Sequence, residues 1–175
     1  MGRRNWQDMK TMMMSRPLRS FLLSVVVFVH LLVPAEPPEA ARVVRSAILA
    51  VNTGDLKAVA NLYTPDAMIV DEDAPYVWTG SGAGGAWLQV VGKATSEAGL
   101  TGFKGELGAI HYSDSTRNAA YVVVPVTYTG LKTGKRYREE GAFSFALQRV
   151  SGHWLIKGQS WATLRLDDGS QAASH

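Results

Sequence analysis

Apolar residues in the first half of the chain recur at helical spacing. Between Glu39 and Asn52 they fall at Val43, Val44, Ala47, Ile48 and Val51, with Arg42 and Arg45 on the opposite side, which predicts an amphipathic helix. Gly54 closes that helix and Asp55 is placed to cap a second, whose stripe runs through Leu56, Val59, Ala60 and Tyr63 until Pro65 stops it. The period then changes: MIVDE and YVW read as short extended segments around an acidic turn at Asp73 to Pro75, and a third helix is expected over Gly85 to Ala98. Beyond it the runs are β-prone, over Glu106–Tyr112, Ala119–Tyr128, Arg136–Arg149 and Trp154–Leu164, broken by the turn-rich SDSTRN, GLKTGK and SGH. Helices first and a curved antiparallel meander afterwards predict an α+β domain with about three helices packed on one sheet face.

The amino-terminal segment follows a different pattern. Phe21 to Val33 is a run of thirteen uncharged residues, preceded by Arg3, Arg4, Lys10, Arg16 and Arg19 against Asp8, and followed by small Ala35. A basic stretch, a short apolar run and a small-residue exit describe a signal peptide over 1–35, and thirteen residues fall short of the length that spans a bilayer. Met12, Met13 and Met14 offer an alternative start, and an uncleaved membrane anchor is the competing reading. Residues 36–38 form a Pro-rich connector, 39–165 the folded domain and 166–175 a tail. The expected location is therefore outside the cytoplasm, with membrane contact only through the signal.

Composition narrows the chemistry. The 175 residues suit one domain, and the absence of Cys excludes disulfide scaffolds, thiolate metal sites and cysteine nucleophiles. The formal net charge of +3 comes from the amino-terminal segment, since residues 36–175 hold 13 basic and 14 acidic side chains. The body thus lacks the basic excess that nucleic-acid binding requires. Gly80, Gly82 and Gly85 spell GxGxxG, but the strands that follow have no intervening helices, so no parallel βαβ unit exists to make it a dinucleotide site. The glycines are expected to form a flexible loop leading to the amino terminus of the third helix. No cofactor and no metal are expected, because the histidines lack the close spacing of a local metal motif.

The order of elements in AVNTGDLKAVANLYTPDAMIVDEDAP, then TGSGAGGAWLQ, then REEGAFSFALQRVSGHWLIKGQSWATL, resembles the nuclear transport factor 2-like superfamily, which includes ketosteroid isomerases and SnoaL-like cyclases. The likeness covers about residues 39–165 and implies a cone-shaped fold with a mouth between helices and sheet, over which the glycine loop would lie. It also implies a site. Asp71 lies four residues after Ala67, the spacing at which the isomerases carry their general-base aspartate, and strand alternation puts it on one face with Ile69. A carboxylate walled by aromatics would have its pKa raised toward that of a useful base. The alternative is that Asp71, Glu72 and Asp73 form a solvated turn.

Two isomerase positions are missing: Ala47 stands where the family has a tyrosine and Gly141 where it has a protonated aspartate, so the familiar oxyanion hole is absent. Tyr63, Tyr76, Tyr128, His111 and Gln159 are the polar residues with reach into a cone, and His111 is placed for acid–base work of the kind histidines perform in another branch of the superfamily. Trp78, Trp87 and Trp161 are candidate pocket walls, and His153 belongs to a solvent-facing turn. The expected function is a small-molecule binder, with lyase or isomerase action through Asp71 on an apolar cyclic substrate. The alternative is a noncatalytic dimerisation or interaction module of the cell envelope. A homodimer is expected because Ala142, Ser144, Ala146 and Gln148 alternate with Phe143, Phe145 and Leu147, leaving a small-residue face on the outer sheet.

Overall fold

The computed structural model describes residues 38–110 and 112–169. The run Phe21–Val33, the connector as far as Pro37, His111 and the residues from Ser170 onward lie outside the described residues. Helix α1 (Pro38–Thr53) buries Ala40, Val44, Ala47 and Ile48 and exposes Arg42 and Arg45, as its stripe requires. Gly54, with φ +62°, turns the chain out of α1. Asp55 then caps α2 (Leu56–Ala60) by accepting from the Ala58 N–H at 2.9 Å.

The helical stripe was expected to carry through Tyr63 to Pro65, but α2 ends at Ala60 and Tyr63 opens strand β1 (Tyr63–Val70). Packing overrides the local pattern here. The Tyr63 ring lies so close over Gly84 that a β-carbon there would sit 2.5 Å from it, and its hydroxyl is tied to Gln159. Pro65 falls where the register of β1 against the strand His153–Asp167 shifts, between Tyr63 and Met68, so its missing N–H costs no ladder bond.

β2 (Val77–Thr79) and α3 (Ala83–Glu97) follow, then β3 (Leu100–Leu107), β4 (Tyr112–Ser115), β5 (Ala119–Lys132), β6 (Lys135–Val150) and β7 (His153–Asp167). The sheet order is β2-β1-β7-β6-β5-β3, with β4 also paired to β5. The meander β5-β6-β7 is antiparallel as expected, whereas β1 joins β7 in parallel, so the sheet is mixed at that side. The strand expected over Glu106–Tyr112 is divided between β3 and β4, both on β5, and β7 runs past Arg165 to Asp167.

Inward residues of the long strands build the core. Val122 and Val124 of β5, Phe145 and Leu147 of β6 and Ile156 of β7 are buried in one apolar cluster with Val44 and Ile48 of α1. The alternate β6 residues face outward: Ala142 and Ser144 are half-buried, Ala146 and Gln148 exposed. At the β3 edge the Asn52 side chain of α1 donates to the Gly105 carbonyl at 2.9 Å and accepts the Gly105 N–H at 2.7 Å. It completes that residue's backbone hydrogen bonds as a neighbouring strand would.

Candidate functional site

Toward the other end of the same strands the inward side chains stop filling the space. A cavity of about 230 Å³ lies between α3 and the sheet, with the Asp71–Asp73 turn on one side. The turn follows β1 and is held tightly: the Asp71 N–H donates to the Tyr76 carbonyl at 3.1 Å, and the Tyr76 N–H to that of Asp73 at 2.8 Å. Asp71 is 8% exposed, like its strand neighbour Ile69 turned inward, and its Oδ2 accepts from Trp87 Nε1 of α3 at 2.8 Å. Its Oδ1 takes a longer bond, 3.4 Å, from the Asp73 N–H.

Burial raises the Asp71 pKa above the ordinary aspartate value of 3.8. The Trp87 bond and the backbone N–H groups of Asp73 and Glu72 partly offset the rise, and the Asp73 charge adds to it. Asp73 is raised in turn, by burial and then by the charge of Glu72.

The walls are aromatic. Trp87 stands edge-on to Phe143, centroids 6.3 Å apart; Phe143 lies 4.6 Å from Trp161; Trp161 meets Tyr128 edge-on at 5.4 Å; and Tyr128 stacks on Phe103 at 4.8 Å. Trp161 gets its place from Gly141, where a β-carbon would lie 2.4 Å from the indole. Burial, followed by the charges of Glu139 and Asp71, pushes the Tyr128 hydroxyl above its ordinary pKa.

Glu139 is the residue that sequence reasoning missed. It is 7% exposed, on β6 one inward position before Gly141, and lines the cavity. Its Oε2 accepts from the Tyr137 hydroxyl at 2.6 Å, and its Oε1 from Trp161 Nε1 at 3.2 Å. Thr163 Oγ1 lies 2.6 Å from Glu139 Oε1 and also 2.6 Å from Glu72 Oε1, and its single proton serves one of them at a time. Tyr137 is pushed above its ordinary pKa by burial first and by this bond to Glu139 second. The signal was present in the sequence: alternation read backward from Phe145 and Phe143 through Gly141 reaches Glu139 and Tyr137 on the same face.

Of the residues expected at the pocket, Asp71, Trp87, Tyr128 and Trp161 meet at this cavity. Tyr63 and Gln159 are buried but pair with each other instead, hydroxyl to Oε1 at 2.5 Å, joining β1 to β7 outside the lining. Burial, then the nearby Tyr128 and Asp71, raises the Tyr63 pKa. Gln159 is 4% exposed, and its Nε2 has no hydrogen-bond partner among the described residues. Trp78 is buried on β2 away from the lining, and Tyr76, 58% exposed, stands outside on the turn. His111 lies outside the described residues, and His153 is exposed. The glycine segment does not roof the cavity. Gly82 precedes α3, and Gly84, in its first turn, lets the helix start against Tyr63.

A curved, unclosed mixed sheet with helices across one face and a cavity between the layers defines a cone-shaped α+β class. No protein-family model matches the chain, and no curated protein matches its sequence. Solved structures do. A scytalone dehydratase-like protein from Novosphingobium aromaticivorans is 17% identical with a TM-score of 0.61, covering 77% of this chain and 88% of that one. The structure of LinA matches at 11% identity and 0.63, covering 78% and 91%. A ketosteroid isomerase-like protein from Erwinia carotovora atroseptica matches at 16% and 0.58, covering 73% and 95%. The chain has the nuclear transport factor 2-like fold.

Proposed function

We propose that this chain is an exported small-molecule-binding protein of the ketosteroid isomerase-like type, in which Asp71 accepts a proton from an apolar ring compound held among Trp87, Phe143 and Trp161. The observation that carries the reading is a buried carboxylate, oriented by an indole N–H, on the wall of an aromatic cavity. Burial favours the neutral acid over the anion, which makes the anion a stronger proton acceptor, while the Trp87 bond fixes its direction. The similar structures include one described as a hexachlorocyclohexane dehydrochlorinase, 10% identical with a TM-score of 0.63 and covering 78% of this chain and 88% of that one. Its name describes elimination from an apolar ring, and it lends support by analogy of fold alone.

The test uses a general carbon acid. In 5-nitrobenzisoxazole a base removes the ring C–H proton, the electron pair forms a nitrile and the N–O bond breaks, giving a coloured phenolate with no other reactant. The full chain should accelerate this ring opening, and Asp71→Asn, which keeps shape and removes the proton acceptor, should lower the rate by about 10²–10⁴-fold. Equal rates for the two proteins would overturn the assignment of Asp71. Export and pairing through the outer face of β6 belong to the same proposal. Amino-terminal sequencing of protein recovered outside the cytoplasm should begin near Glu36, and light scattering at micromolar concentration should return a dimer.

A further inference from the structure

The cavity wall is rich in carboxyl groups. Among the described residues Asp71, Glu72, Asp73 and Glu139 line it, against one cation, Lys132. Lys132 is already committed, with Nζ 2.8 Å from Asp168 Oδ2. Among the described residues none of the four lining carboxylates is in an ion pair within 4.0 Å. Among the described residues the two most buried accept from neutral donors only: Asp71 from an indole and backbone N–H groups, Glu139 from a phenol, an indole and the hydroxyl for which Glu72 competes. Neutral donors satisfy lone pairs and leave the net charge in place, and a buried charge without a counter-charge is expensive.

The same wall is aromatic. Tyr128, Trp161, Tyr137 and Phe103 cluster beside Glu139, with centroid separations of 4.8–6.2 Å between contacting rings. Aromatic faces attract cations, most strongly where water is excluded. A metal ion does not suit this arrangement, because among the described residues no three His, Cys, Asp or Glu side chains are grouped as ligands. A bulky organic cation does. A quaternary or tertiary ammonium needs little or no hydrogen bonding from the occupied carboxylate oxygens; it needs their field and the ring faces.

We infer that the cavity takes a ligand with an apolar body and an organic ammonium group, the cation seated against Glu139 and the rings of Tyr128, Tyr137 and Trp161. The inference rests on the small-molecule reading above and narrows its chemistry: Asp71 remains the proton acceptor and Glu139 becomes the anchor that selects charge.

The experiment compares two probes of the same shape, benzyltrimethylammonium and its uncharged isostere neopentylbenzene, by tryptophan fluorescence titration of the full chain. The cation should bind at least about ten-fold tighter, in keeping with a desolvated cation–π and charge contact. Glu139→Gln should remove most of that preference, read as the ratio of the two affinities within each protein. Should Glu139→Gln fail to fold, Glu72→Gln at the exposed rim should reduce the preference by a smaller factor. If the isostere binds as tightly as the cation to the unaltered chain, the charge inference fails and the small-molecule reading stands. If the cation is preferred but neither variant changes the preference, the seat at Glu139 is wrong. If neither probe binds, both the inference and the reading beneath it fall.

Discussion

Strand β6 contributes to two regions of opposite character, and the contrast between them explains how the domain holds both a core and a cavity. Toward its carboxyl end the inward residues Phe143, Phe145 and Leu147 are apolar and buried, and they pack with Val122, Val124 and Ile156. Toward its amino end the inward residues are Tyr137, Glu139 and Gly141, whose polar tips and missing side chain leave room and demand partners. Phe143 belongs to both, closing the core and walling the cavity. Alternation alone decides which residues face in; their chemistry decides whether the interior is filled.

Three substitutions test that division. At the filled end, Phe145→Ala should cost about 3–5 kcal/mol in chemical denaturation, since a fully buried ring is lost where neighbours are fixed by three strands. A loss below about 1 kcal/mol would mean that this end is no better packed than the other. At the boundary, Gly141→Ala places a methyl 2.4 Å from the Trp161 ring and 2.5 Å from the Ala162 carbonyl. It should destabilise by about 1–3 kcal/mol and shift tryptophan emission as the indole is displaced. Unchanged emission would separate Gly141 from the cavity wall.

The smallest effect is expected at Asp71, and its sign is opposite. With its pKa raised in the folded state, the folded chain binds this proton more tightly than the unfolded chain does. Stability therefore falls as pH rises from 3.8 through the folded value, and stays lower above it. Asp71→Asn removes that decline, so its gain over the unaltered chain should grow across the window and persist at neutral pH. Asp73, raised in the same direction, keeps a residual slope in the variant. Thermal melts from pH 3 to pH 8 give the comparison, and a gain that shrank with rising pH would contradict the burial of Asp71.

Much of this was readable from the chain because the signals are local. The α1 stripe, the Gly54–Asp55 junction, α3 and the meander β5-β6-β7 all follow from periodicity and turn residues within a few positions. The inward position of Asp71 was legible because strand alternation carries one residue past Val70. What escaped depends on distant contacts. Tyr63 fits a helical stripe until Gly84 and Gln159, far along the chain, draw it into a strand. Trp78 and Tyr76 have the chemistry of pocket residues, but neither lines the cavity: Trp78 is buried on β2 and Tyr76 stands on the exposed turn. Glu139, inside REEGAF, looks like one charge among several until its partners Tyr137, Trp161 and Thr163 are seen around it.

The clasp of Asn52 on Gly105 bears on how the molecule behaves in a crowd. An open sheet presents a row of unspent backbone groups at each border, and such a border recruits any extended segment that drifts against it. Here one border is the three-residue β2, too short to template much. At the other, made by β3 and β4 on β5, a side-chain amide occupies the place an incoming strand would need at Gly105 of β3. At that point the β3 border is closed from within the chain, by a side chain and not by another strand.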